Sequence, residues 1–196
     1  MDIERVRGVI SQMKLQEKLA LTGGGTTTVS VDRLRVPGMN MGESLEPYSA
    51  EEPMTIALGC TFSHTLCAAV ARMRSASAVK AGEAFSDAIG CGLMTDPMRR
   101  DACGLFSEDA YLTAELLKSY AEASTLGCVF TDALGQGRFQ NRTVDYRALY
   151  ELYLYPLEKA GKYAAALQLD GGYINGERVS TSRNVADRLT RYLTPS

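Results

Sequence analysis

Four apolar runs that each close on an acid do most to restrict what this chain can fold into. VPGMNMGE (36–43), GLMTD (92–96), LGCVFTD (126–132) and AAALQLD (164–170) read as strands, with Glu43, Asp96, Asp132 and Asp170 at their exits. TIALGCTF (55–62) is a fifth strand candidate, without an acid. The stretches between them are long enough for helices. Strand and helix in alternation predict an α/β protein with parallel strands, and such proteins work at the carboxyl ends of those strands.

The intervening segments support that order. Residues 2–20 predict one or two short helices, and Gly23–Gly24–Gly25 with the three following threonines reads as a loop. No Gly-Lys-Ser/Thr follows the glycines, so a phosphate loop is not expected. Ser63 is the expected N-cap of a helix from His64 to Phe85. Ser107, Glu108 and Asp109 open another, Ala110 to Ser124, where acids complement the helix dipole. Further helices are expected over 145–161 and 184–192. No internal repeat or linker interrupts residues 1–196, which read as one domain.

Composition excludes several classes of function. A net charge of −2 argues against nucleic acid as the main partner. No apolar run is long enough to span a bilayer, and the charged start MDIERVRGVISQMK is no secretory signal. Five cysteines without CxxC spacing fit reduced thiols in a cytoplasmic protein, with neither disulfides nor zinc. The single histidine, His64, sits just after a helix N-cap, where a solvated side chain rather than a catalytic one is expected.

Several segments together resemble the N-terminal barrel domain of glycoside hydrolase family 3, the β-glucosidase and β-N-acetylglucosaminidase family. LQEKLALTGGG (15–25) is similar to its opening Leu-x-x-Glu-Lys helix and Gly-rich loop, and VDRLRVPGMNMGES (31–44) to its "PRLGIPAIRVTDGP" strand. LFSEDAYLTAELLKSYAEA (105–123) resembles "YFSEDPYLAGELAAAYVRG", the most specific of the matches. VDYRALYELYLYPLEKA (144–160) resembles "VDERALREIYLPPFEKA", and YINGERVSTS (173–182) resembles "VNGEYCSEN". The resemblance implies a partial (β/α) TIM-type barrel of about five parallel strands with surrounding helices.

The family's chemistry is not expected to carry over. Retaining glycosidases need two carboxyl groups about 5 Å apart across the scissile bond. The resemblance puts the nucleophile in a "VVSDW" strand that would follow a helix after the Asn-Gly-Glu turn, and the sequence reaches Ser196 before such a segment. The sugar-binding Lys-His pair of "VKHFA" falls on Thr131 and Asp132. The binding Arg of "GRNFEYF" falls near Asp101, where Arg99 and Arg100 are the candidates to stand in, and the Tyr of "MTAYN" falls near Gly171. The binding Asp of "TDGP" keeps its charge as Glu43.

Glu43, Asp96, Asp132 and Asp170 then form a candidate ligand-binding rim, against the plainer reading that acids at strand exits cap helices or meet solvent. No known metal spacing links them, so neither a metal nor another cofactor is expected. Tyr146, Tyr150, Tyr153 and Tyr155 lie on one predicted helix and suggest an interface, because tyrosine gives large contact area at modest entropy cost. The expectation is a degenerate family 3-like protein acting as a binding, regulatory or assembly module. A homo-oligomer, a dimer in the first instance, or a complementary half-barrel chain would close the barrel; carbohydrate is the small-molecule candidate. The alternative is one half of a split glycoside hydrolase completed by a partner chain.

Overall fold

The computed structural model describes residues 3–23, 27–40, 54–98, 102–131, 141–168 and 172–193. Its centre is a parallel sheet of β1 (Ser86–Gly90), β2 (Cys128–Thr131) and β4 (Ala164–Leu167), in the order β1-β2-β4. Parallel neighbours need long crossovers. Here α5 (Ala110–Ala123) connects β1 to β2, and a helical segment over 146–160 precedes β4.

The strand register aligns Ile89, Phe130 and Leu167 across the three strands, and Ala88, Val129 and Ala166 on the next row. Strand side chains alternate between faces, so these rows point opposite ways. Ile89 and Phe130 are fully buried with Leu116, Leu117 and Tyr120 of α5 and Leu149, Leu154 and Leu157. α4 (His64–Lys80) lies against both α5 and β1 and contributes Cys67, Val70 and Ala71 to the same core. Arg74 of α4 is buried too and donates from Nη1 to the Tyr120 hydroxyl at 3.4 Å.

Helix ends follow the expected local chemistry. Ser63 Oγ accepts from the Leu66 amide at 3.2 Å, so the predicted cap of α4 is present. The helix stops at Lys80 rather than Phe85, because Gly82 turns the chain with φ 71°. At α5 the cap is Asp109, whose Oδ1 accepts from the Leu112 amide at 2.6 Å. The N-terminal region forms α1 (Ile3–Gln12) and α2 (Leu15–Leu21), and the chain's last helix is α8 (Arg183–Leu193).

Three strand assignments need correction, and the five parallel strands become three among the described residues. Residues 55–62 are not a strand: α3 (Thr55–Thr61) is a short helix that buries Thr55, Leu58 and Gly59. A brief apolar run has no period by which to tell a buried strand from a buried helix. GLMTD is not a strand but the loop after one. The strand is SDAIG, whose Ser, Asp and Gly give it little β-propensity. At 36–43, Val36 and Asn40 make only isolated antiparallel bridges, to Val31 and Thr27, and 41–43 lie outside the described residues.

The helix expected over 145–161 is interrupted. It runs as α6 (Tyr146–Ala148), a π-helical turn over Leu149–Tyr153, and α7 (Tyr155–Ala160). Pro156 stands at the start of α7 and has no amide to continue an α-helical ladder. The Leu154 amide bonds instead to the Leu149 carbonyl, five residues back, at 2.9 Å. A second small sheet orders β3 (Asn141–Arg142), β5 (Tyr173–Ile174) and β6 (Glu177–Arg178), with β5 and β6 antiparallel.

Candidate functional site

The carboxyl end of the parallel sheet is built around Thr131, the last residue of β2. Its carbonyl accepts from the Cys91 amide at 2.9 Å and from Cys91 Sγ at 3.1 Å. On the other side the Gln168 amide bonds to the Phe130 carbonyl at 2.8 Å. These bonds carry the ladder past the strand ends, so the chains leaving β1, β2 and β4 start from fixed positions.

One side chain at this rim was missed by the sequence reading. Arg142 of β3 donates from Nη2 to Thr95 Oγ1 at 3.3 Å, in the loop that follows β1. The same guanidinium lies 5.1 Å from the centre of the Tyr153 ring. The β5–β6 turn holds Arg142 in place. Asn175 and Gly176 both take positive φ, 51° and 82°, as a tight Asn-Gly hairpin requires. The Asn175 amide bonds to the Arg142 carbonyl at 2.9 Å, and the Gly176 amide to Asn141 Oδ1 at 3.0 Å. Arg142 alone had no motif to announce it; the signal was the Asn-Gly turn that docks on its segment.

Of the expected rim, Glu43, Asp132, Asp170, Arg99 and Arg100 lie outside the described residues. Asp96 is described and exposed, and its Oδ1 accepts from the Met98 amide at 2.9 Å. That is a local turn bond, the plain role for an acid after a strand. Among the described residues no three His, Cys, Asp or Glu side chains cluster closely enough to hold a metal ion.

The tyrosines are not equivalent. Tyr146 and Tyr150 stack with ring centres 6.1 Å apart, and Arg188 of α8 covers Tyr150 at 3.9 Å. Arg142 covers Tyr153, and Lys159 lies 5.3 Å from the Tyr155 ring. Tyr150 and Tyr153 pack against the core, whereas Tyr146 is 48% exposed.

His64 is less solitary than its sequence position suggests. Its Nδ1 lies 2.7 Å from Ser119 Oγ, beside Arg72 and Glu122 in a groove of about 360 Å³. Ser119 gives its own proton to the Glu115 carbonyl at 2.9 Å.

Sequence and fold comparisons give one consistent picture. No protein-family model matches the chain. It is 26% identical over 208 residues to a curated protein of Schizosaccharomyces pombe described as "Putative beta-glucosidase", a match covering 95% of this chain and 25% of that protein. In fold it is similar to β-glucosidase 3B of Thermotoga neapolitana, solved with α-D-glucose, at TM-score 0.79 and 19% identity, covering 96% of this chain and 32% of that one. It is also similar to the GH3 β-glucosidase of Bifidobacterium adolescentis, at TM-score 0.77 and 19% identity, covering 94% and 30%.

A mixed α/β domain with this parallel core is thus the fold class. The chain is similar in sequence to a protein described as a putative β-glucosidase and similar in fold to β-glucosidases that include one of glycoside hydrolase family 3. It spans about a quarter of the length of the curated relative it matches. Among the described residues no helix is long and apolar enough to cross a membrane.

Proposed function

We propose that this chain is a catalytically degenerate family 3-like module, built on part of a (β/α) barrel, that binds or assembles rather than cleaves. The observation that carries the reading is Thr131. It stands at the carboxyl end of the central strand, where the resemblance puts the lysine of the sugar-binding Lys-His pair. A short neutral hydroxyl cannot supply the charge of an ammonium group to a sugar oxygen. Arg142 and the carboxyl rim leave room for a weaker role, recognition of a sugar such as the glucose bound by the Thermotoga neapolitana protein.

The test is direct. The purified chain is expected to release no p-nitrophenol from p-nitrophenyl β-D-glucoside above the buffer rate. Calorimetry with glucose should give weak heat that Arg142→Gln removes. Steady turnover that survives repurification would overturn the module reading, and an unchanged glucose titration for Arg142→Gln would remove the sugar role.

One feature favours the alternative, a split glycoside hydrolase. Among the described residues β1 and β4 each pair on one side only, with β2 between them. Open parallel edges invite completion by another chain. A polypeptide supplying a family 3 nucleophile strand should then restore hydrolysis on co-expression; a second copy of this chain should not.

A further inference from the structure

An unfilled space lies between α1 and the turn over 31–36. Arg5, Val6, Val9 and Ile10 share one face of α1, as their spacing requires, and Met13 follows just beyond its end. Facing them are Arg35, Val36 and Pro37, and together they line a cavity of about 460 Å³. Val6 and Ile10 remain 41% and 47% exposed although they lie on the side of the helix that meets the rest of the chain. Helix and turn therefore stand apart, and the apolar stripe between them is uncovered. A cleft of this size, mostly apolar with a few polar groups, has the character of a small-molecule site.

Arg35 supplies the polar group. The turn puts it in the left-handed region, φ 54°, with its amide bonded to the Asp32 carbonyl at 3.0 Å. Among the described residues its guanidinium has no hydrogen-bond or ion-pair partner. Glu17, the acid between α1 and this turn in sequence, is already bound to Arg33 at 2.8 Å. An uncompensated guanidinium on an apolar cleft suits an anion carried on a hydrocarbon, since the charge would pair and the chain would leave water. Neutral sugars suit it less, because no aromatic ring lines the cleft.

We propose that this cleft binds an amphiphilic carboxylate of the medium-chain fatty-acid type, with its chain on Val6, Val9, Ile10, Met13 and Val36 and its carboxylate on Arg35. The site is separate from the carboxyl rim of the sheet and does not depend on what that rim does.

The experiment is calorimetric titration of the full chain with sodium octanoate, sodium decanoate and 1-decanol, each below its aggregation threshold. Two further methylenes in the cleft should make decanoate roughly 15-fold tighter than octanoate. Arg35→Gln should weaken decanoate about fivefold and leave decanol unchanged. Ile10→Glu should weaken all three at least tenfold; Ile10 is half exposed, so the variant is expected to keep its circular dichroism spectrum. Equal affinity for octanoate and decanoate in the unmutated chain would overturn the proposal, and so would decanoate binding that ignores Arg35→Gln. A ligand-free dimer that Ile10→Glu splits, seen by light scattering, would make the cleft a copy-to-copy contact and overturn it equally.

Discussion

Asn175 closes both backbone groups of Val144 with one side chain. Its Oδ1 accepts from the Val144 amide at 2.8 Å, and its Nδ2 donates to the Val144 carbonyl at 2.9 Å. The pair joins the β5–β6 hairpin to the segment that carries Arg142, thirty-one residues earlier. Asn175→Ala should cost about 1–2 kcal/mol in urea denaturation, through lost hydrogen bonds and a poor residue for positive φ. Asn175→Gly keeps the turn and drops only the bonds, so a smaller loss is expected; equal losses would show that the turn contributes nothing.

Two helical glycines should respond oppositely to alanine. At Gly59 of α3 an added Cβ would come within 1.9 Å of the Phe106 carbonyl oxygen, a backbone atom that cannot step aside. Gly59→Ala should cost about 3 kcal/mol. At Gly8 of α1 nothing lies within 4 Å, and Gly8→Ala should stabilise by about 0.5–1 kcal/mol. Thermal melts of the two variants decide it, and a stable Gly59→Ala protein would refute the contact.

No disulfide joins the five cysteines; Cys60 is exposed, and Cys67, Cys91 and Cys128 are buried. Burial pushes the Cys67 thiol up to about 12 from an ordinary 9.0, against a smaller opposing pull from Arg74. Native protein at pH 8 should take iodoacetamide at Cys60 and not at Cys67, and denatured protein at all five, read by mass spectrometry. A thiol whose folded value is raised stabilises fully below its unfolded value. Stability should therefore fall as pH climbs from about 9 towards 12, and Cys67→Ala should flatten that fall.

Glu17 shifts the other way. Hydrogen bonds from Arg33 first, then from the Lys14 amide at 2.7 Å, hold its carboxyl below the ordinary 4.5. The capping interaction is then complete above 4.5 and lost as pH falls through the lowered folded value. The Lys14 amide shift, followed by NMR, should titrate with a midpoint below 4.5. A midpoint at or above it would remove the bond.

If tyrosines make an interface, Tyr146 should lead it, because Arg188 and Arg142 already cover Tyr150 and Tyr153. Light scattering is expected to give a dimer for the unmodified chain and a monomer for Tyr146→Ser. A monomer before mutation would end the interface reading.

How much was legible follows from what each signal depends on. The cap of α4, the start of α5, the Asn-Gly turn and the positions of β2 and β4 depend on neighbours in sequence, and all were readable near their true places. The strand Ser86–Gly90 was not, because buried pairing with Cys128–Thr131 overrides the weak strand preference of its residues. The run 55–62 misled for the complementary reason: burial on every side erases the period that separates helix from strand. Arg142 was overlooked because its partners, Thr95 and Tyr153, stand 47 residues before it and 11 after it.

By itself, then, the sequence determined the alternation of strand and helix, the local caps and turns, and the family resemblance, since all of these are written in short-range pattern. Only the tertiary structure decided that three acid-tipped runs contribute two strands of the parallel sheet and a loop, and that two of the interface tyrosines are already covered by arginines. It alone opened the cleft beside Arg35. Those outcomes turn on which distant side chains share a core, and packing rather than local preference sets the free energy there.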